Sequence, residues 1–541
     1  MLVTAANAAR YAATDRTLAR SAAAATVFAS GERHSDGLDR VFSPESIITP
    51  DNVVWSEFLR VRSHLNARFD ALPETSSASI EDVAHGCVNL FFQFLFPNTP
   101  IAHEPTLRDS ITLLATDDAA SPTEARAIST SLTITTVRRF TLVTALCAHI
   151  ISVVPTSLSR LPKALSVVFF DASRAMLRAY EAYDLEHPDV TSLTIRMWHS
   201  SCAQNTTGKV GASWHYHTEA CCLAQRLRLY DESAIAEVAS RAADCALEAR
   251  LLRANFWHLY LAEKTQVAFR TRAPIIDERI CYGGITLLEH RDGDDTEVER
   301  VPLLDTQEPH NQANLEKRIF VGFHLRRRMS AMAAALIDDV ASCGCRRGEA
   351  RANPATLSPV DADPEVTALV ERYLLFSALI NDVPSWVMHP DRDKNPLIST
   401  IDDNDRSKAP KPVQAYHTTC FWAQNSNLSS IFHCMRLLIL QACIDHGLPV
   451  VVGLGDSTPL AWASRKLEIV RDLLHSLQAT PFVCLEAQGE TAVDKVRRVG
   501  TILLELLHRS DNATIKSQAD TLFKSLLDIL SRLDSKACEG L

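Results

Sequence analysis

Glycine is scarce, at 17 of 541 residues, or about 3% against a usual ~7%. So few glycines leave few tight turns, which argues against an all-β sandwich and against a glycine-rich nucleotide fold. The 14 cysteines include no CxxC pair, and neither Cys221-Cys222 nor Cys343-x-Cys345 has zinc-pair spacing. HExxH and GxSxG are absent, and Gly208-Lys209 lacks both the upstream glycine and the following Ser/Thr of a phosphate loop. Positive charge is not in excess: 55 Lys+Arg face 65 Asp+Glu, for a net charge of −10 and a pI near 6.0. A chain so balanced is poorly suited to gripping DNA through its overall charge. The best apolar run, 140–155, is interrupted by His149 and falls short of the ~20 residues that span a bilayer. The first twenty residues scatter their charges and form no apolar core of a leader. A soluble intracellular chain with no membrane partner is expected. The sequons at Asn205, Asn427 and Asn512 then read as chance. Cysteines set singly in apolar stretches (Cys147, Cys245, Cys434, Cys443) read as buried free thiols in a reducing compartment.

What is present is a globular composition, 46% apolar and 22% charged, long enough for two to four subdomains. Apolar spacing is helical nearly throughout. In 460–477 it recurs at Leu460, Ala463, Leu467, Val470, Leu474 and Leu477, in steps of three and four. Similar patterns cover 80–96, 124–151, 163–183, 211–229, 235–269, 315–340, 365–387, 418–446, 490–508 and 511–533. Start signals agree: Ser121-Pro122-Thr123-Glu124 is a capping box, and Asp363-Pro364-Glu365 is a similar cap. Only 132–137 and 448–454 are β-branched runs, and each fits a helix end or a loop as well as a strand. The fold class expected is all-α, with few or no strands.

Polar segments at 30–51, 287–312, 342–363 and 389–412 divide the helices. The expected organisation is a partly disordered N-terminal segment without a zinc cluster (1–78), a helical core (79–341), a linker (342–364), a helix (365–388), a second linker (389–415) and a C-terminal helical subdomain (416–541).

Three constellations invite chemistry. His215 and His217, within Trp214–Glu219, point roughly 200° apart on a helix and cannot chelate one ion, since a helical pair needs a spacing of three or four. They read as partly exposed helix histidines. Gly453-Leu454-Gly455-Asp456-Ser457-Thr458 offers an incomplete dinucleotide loop, a hydrolase nucleophile at Ser457, or a helix cap at Ser457 or Thr458 with Pro459 in the first turn. The periodic helix that follows favours the cap. Arg326-Arg327-Arg328 reads as a solvated helix face rather than an import signal, and Lys408–Lys411 is weak as one. No residue is assigned a catalytic, cofactor-binding or metal-binding role, no cofactor is implied, and an enzyme is not expected.

Two central segments carry a resemblance. Ala212-Ser213-Trp214, Glu219-Ala220 and Leu223 to Tyr230 form one piece. Glu248 to Lys264, containing Phe256-Trp257-His258-Leu259-Tyr260, forms the next, followed at a fitting distance by Arg272-Ala273-Pro274-Ile275-Ile276-Asp277-Glu278. Further pieces lie at Asn427-Leu428, at Phe432 to Leu437 and at Gly489 to Glu505. In this order and spacing they resemble the regulatory (middle homology) domain of fungal-specific transcription factors of the zinc-cluster family, over roughly 192–509. Phe256 replaces the commoner first tryptophan, Glu263 stands where aspartate is usual, and Ala273 replaces an arginine.

That resemblance implies an all-helical regulatory body in the nucleus, of regulators often found beside specialised-metabolite gene clusters. It implies protein partners, either a DNA-bound factor or a co-regulator, with a homodimer and a small-molecule effector left open. The aromatic pair Phe256/Trp257 reads as core, or as the lining of an effector cavity. Such regulators carry an N-terminal six-cysteine zinc cluster, whereas here the first cysteine is Cys87. DNA contact would therefore be indirect, unless an upstream exon supplies the cluster. A helical scaffold without transcriptional activity is the rival expectation.

Overall fold

The computed structural model describes residues 51–73, 78–115, 130–241, 245–279, 281, 284–287, 301–311, 314–350, 363–392, 411–455 and 458–533. The capping box at 121–124, Asp456, Ser457 and Lys408 lie outside them. Among the described residues there is no strand, and the fold is all-α. The run at 132–137 lies inside a helix, and Pro449–Val452 is a single 3-10 turn.

The main helices are α1 (Asp51–Asp70), α2 (Ile80–Leu90), α3 (Glu104–Ser110), α4 (Thr130–Val153), α5 (Ala164–Glu186), α6 (Val190–Thr207), α7 (Val210–Arg226), α8 (Glu232–Ser240) and α9 (Cys245–Ala268). After them come α10 (Leu315–Ala350), α11 (Pro364–Ala378), α12 (Lys411–Asp445), α13 (Pro459–Ala479), α14 (Glu490–Arg509) and α15 (Ala513–Arg532). Several begin as their sequences dictate. Ser79 and Asp189 close capping boxes on α2 and α6. Asp363 caps α11 with Pro364 in its first turn. Thr458 is the N-cap residue of α13, ahead of Pro459, without a side-chain bond.

Two large hydrophobic cores organise the described residues, with a small third cluster at Phe94, Cys484 and Ala487. The first gathers α1 to α9 around α4, which packs on α2, α5 and α6. The second joins α11, α13, α14 and α15. Helices α10 and α12 enter both: Ile319, Phe323 and Phe421 belong to the first core, Met329, Ile337, Leu428 and Met435 to the second. They run parallel, because Gly322 meets Gln424 and Gly344 meets His446, the same step of 22 residues on each helix, or about 33 Å of axis.

Three differences from the sequence reading have clear causes. Segment 1–78 contains α1, whose Val54, Phe58, Val61, Leu65 and Phe69 are buried in the first core. The linker at 342–364 begins too early, since α10 continues to Ala350: Cys343 is buried in the second core and Gly344 lies against His446. Helices α4 and α12 are long and apolar enough to cross a membrane, although 83% and 67% of their most apolar windows are buried within the protein. The extra length of α4 lies ahead of the 140–155 run, at 133–139; within the run Thr141 donates to the Val137 carbonyl at 2.6 Å and Thr144 to that of Phe140 at 2.8 Å.

Candidate functional site

Three of the segments that carry the resemblance, 212–230, 248–264 and 272–278, meet where α7, α9 and the chain leaving α9 come together. Glu263, on the last turns of α9, is 1% exposed and fully engaged. Its Oε2 accepts the Ile275 N–H at 2.6 Å, and Oε1 accepts Arg272 Nη2 at 2.7 Å. Gln225 of α7 donates to the Ile275 carbonyl at 2.6 Å, while Tyr260 and Lys264 hold Glu278. A buried carboxylate must be paired to stay charged. Here its bonds fasten the returning chain, and His217, Arg272 and the Ile275 N–H hold its pKa below the ordinary value against the opposing effect of burial.

His217 reaches the same carboxylate: its Nε2 lies 2.9 Å from Glu263 Oε1. Cys221, one helical turn further along α7 and buried, places Sγ 3.4 Å from that same Nε2. The two histidines therefore part as their spacing requires. His215 is exposed and pairs with Glu219 at 2.9 Å, as expected of a surface histidine. His217 is partly exposed too, with 12% of its side chain open, but its ring points inward toward α9. The pair with ligand spacing is His217 and Cys221, at i and i+4. The sequence shows that spacing, but weighing His215 against His217 and Cys221 against Cys222 passes over it.

These three side chains do not form a nucleophilic relay. A cysteine relay sets the thiol on one ring nitrogen and the orienting carboxylate on the other, whereas here both meet Nε2. Burial also pushes the Cys221 thiol up, away from the reactive thiolate. The donors Nε2, Sγ and a Glu263 oxygen instead converge, all within 4.8 Å of one another.

A second polar cluster lies where α10 and α12 pass from one core to the other. Arg326 and Arg327 are 7% and 4% exposed, so only Arg328 of that triplet faces solvent. The solvated-face reading of Arg326-Arg327-Arg328 is thus corrected: the i+3/i+4 geometry turns two of the three inward. Arg326 donates to the Asn98 carbonyl at 2.6 Å, and Arg327 lies 3.9 Å over the Trp257 ring. Gln424 donates to the Pro97 and Ile319 carbonyls, both at 2.8 Å. Lys495 reaches Asn427, Ser430 and Gln488 at 2.9–3.1 Å. Desolvation pushes the Arg326 pKa down to about 10 and that of Lys495 down to about 7, Arg326 adding repulsion to the latter. Neither residue pairs with a carboxylate among the described residues.

Phe256 and Trp257 are core, at 1% and 4% exposure. The internal cavity beside Lys495 has about 10 Å³, the room of a single water, far below the ~300 Å³ of a small-molecule site. A groove of about 340 Å³ between α12 and α14 opens to solvent and is lined by Asp445, Arg498, Glu505 and Arg509 among others.

No family model matches the chain, and no curated protein matches it.

Proposed function

We propose that this chain is the regulatory body of a nuclear transcription regulator that works through protein partners. The observation that carries the reading is the bonded junction of its motif-bearing segments. The piece around Trp214–Tyr230, the Glu248–Lys264 helix and the Arg272–Glu278 return are separate in sequence, yet Glu263, Gln225, Tyr260 and Lys264 tie them into one unit. The overall charge of −10 fits recruitment to DNA by a partner better than direct contact. Control of a specialised-metabolite pathway is the setting the resemblance suggests.

The test is a tethering assay. The full chain fused to a heterologous DNA-binding domain, placed upstream of a reporter in a fungal host, should change expression in either direction. Expression equal to the DNA-binding domain alone would favour the helical scaffold instead.

A further inference from the structure

A metal ion needs several lone pairs aimed at one point, from side chains whose positions are fixed before it arrives. Helix α7 supplies two of them one turn apart, His217 and Cys221, on the face turned toward α9. Helix α9 supplies Glu263, its carboxylate oriented from behind by the Ile275 N–H at 2.6 Å and by Arg272 at 2.7 Å. In a tetrahedral zinc site, bonds of about 2.0–2.3 Å set N, O and S donors roughly 3.2–3.6 Å apart. The separations here are 3.4 Å from nitrogen to sulfur and 2.9 Å from nitrogen to oxygen. The nitrogen–sulfur and nitrogen–oxygen pairs therefore need to shift by only a few tenths of an ångström, and the sulfur and oxygen lie within 4.8 Å of each other.

We propose that His217 Nε2, Cys221 Sγ and Glu263 Oε1 form a divalent transition-metal site, with zinc the best-fitting ion and a solvent molecule in the fourth position. The mixed N/S/O set suits zinc rather than magnesium or calcium, which take oxygen donors. The fourth position is open to water because His217 lies at the edge of the buried region, with 12% of its side chain exposed. On binding, the Cys221 thiol gives its proton to solvent, and the imidazole binds as the neutral tautomer, its one proton moved from Nε2 to Nδ1 and its Nε2 lone pair turned to the metal. Thiolate and carboxylate together neutralise the ion, so Arg272 faces a neutral centre and keeps its bond to Glu263 as a ligand-orienting group. The bound ion joins α7 to α9 and stiffens the junction that holds residues 272–278. The site stands independently of the regulatory reading.

Cobalt(II) substitution tests it, because a thiolate ligand gives a near-ultraviolet charge-transfer band that oxygen and nitrogen ligands do not. The full chain, carrying Cys222→Ser and Cys345→Ser to silence the two exposed thiols among the described residues and Cys538→Ser outside them, is stripped with chelator and titrated anaerobically with cobalt. A saturable band displaced by zinc is expected, and Cys221→Ser in that background should abolish it. Groups hydrogen-bonded behind a ligand are already worth roughly 10–100-fold in affinity. Loss of a direct donor in His217→Gln or Glu263→Gln should therefore weaken binding by roughly tenfold or more. Circular dichroism confirms that each variant is folded, with the near-isosteric Glu263→Gln as the safeguard if Cys221→Ser is not. No band in the parent protein, a band that survives Cys221→Ser, or unaltered affinity in folded Glu263→Gln would each overturn the proposal.

Discussion

Asp184 is 1% exposed at its side chain and carries two arginines. Its Oδ2 accepts Arg196 Nη1 at 2.7 Å, and its Oδ1 accepts Arg138 Nη2 at 2.9 Å and the Ser192 hydroxyl at 2.6 Å. This one residue of α5 thereby fastens α4 and α6. Removing Asp184 leaves buried Arg196 with only Glu219 at 3.2 Å and Arg138 with Asp189 at 2.7 Å, so Asp184→Ala should cost about 3 kcal/mol, the lower end for a broken buried ion pair. Arg60→Ala, at the exposed Arg60–Glu57 pair, should leave the urea midpoint unchanged within error. Equal midpoints for the two variants would show that the Asp184 network is not what holds these helices. At this scale the sequence is least legible. Arg326, Arg327, Arg196 and Lys495 read as surface charges by type, and only tertiary packing turns them inward. The His217–Cys221 spacing is visible in the sequence, but its third member, Glu263, lies 42 residues beyond Cys221 on another helix and no local pattern links them.

At the scale of the element, the parallel pair α10 and α12 depends on glycine where the backbones approach. A Cβ at Gly344 would lie 2.5 Å from His446 Cβ and 3.0 Å from the His446 carbonyl oxygen, neither of which is a flexible side-chain end. Gly344→Ala should therefore force the helices apart and cost about 1–3 kcal/mol. Gly348, one turn on, is exposed with open space around its Cβ position. Gly348→Ala should be neutral or stabilise by up to about 1 kcal/mol, through helix propensity alone. Opposite signs in thermal melts are the expected result, and a shared sign would refute the close-approach argument. Helices with a clean apolar stripe were readable: the pattern at 490–508 corresponds to α14, with Val493, Val496, Val499, Leu503 and Leu506 facing the second core. Helix α6 was not, because Ser192, Thr194, Arg196 and His199 are among its buried residues. Polar residues on the inner face erase the period that distinguishes inside from outside. The single helical pattern at 235–269 proved to be two helices, α8 and α9, since hydrophobic spacing does not by itself mark where a helix stops.

At the scale of the whole molecule, the buried histidines of the first core set a limit at low pH. His149 lies against Trp198, their rings 6.3 Å apart and nearly parallel, and its Nδ1 has no hydrogen-bond partner among the described residues. His199 meets the Ser173 hydroxyl at 2.7 Å through Nε2, and its Nδ1 likewise has none among them. Desolvation pushes both down to about 3, with Arg196 and Arg174 adding repulsion at His199. In the unfolded chain each titrates near 6.5. Between pH 6.5 and 3 the unfolded state therefore binds protons that the folded state refuses. Stability is at its full value above 6.5, falls as the pH drops, and levels off near 3. At pH 5 the loss is roughly 2 kcal/mol per histidine, a large share of the 5–15 kcal/mol that holds a typical domain. The melting temperature should thus be clearly lower at pH 5 than at pH 7.5. Burial likewise pushes His258 down to about 3 and His433 down to about 4, so His149→Phe, which keeps an aromatic ring against Trp198 but cannot take up a proton, should flatten that dependence by about a quarter. A wild-type melting temperature unchanged between the two pH values, or a His149→Phe profile as steep as the wild type, would mean that these imidazoles find protons or water in the folded state and that the core around α4 and α6 is more open than its packing indicates.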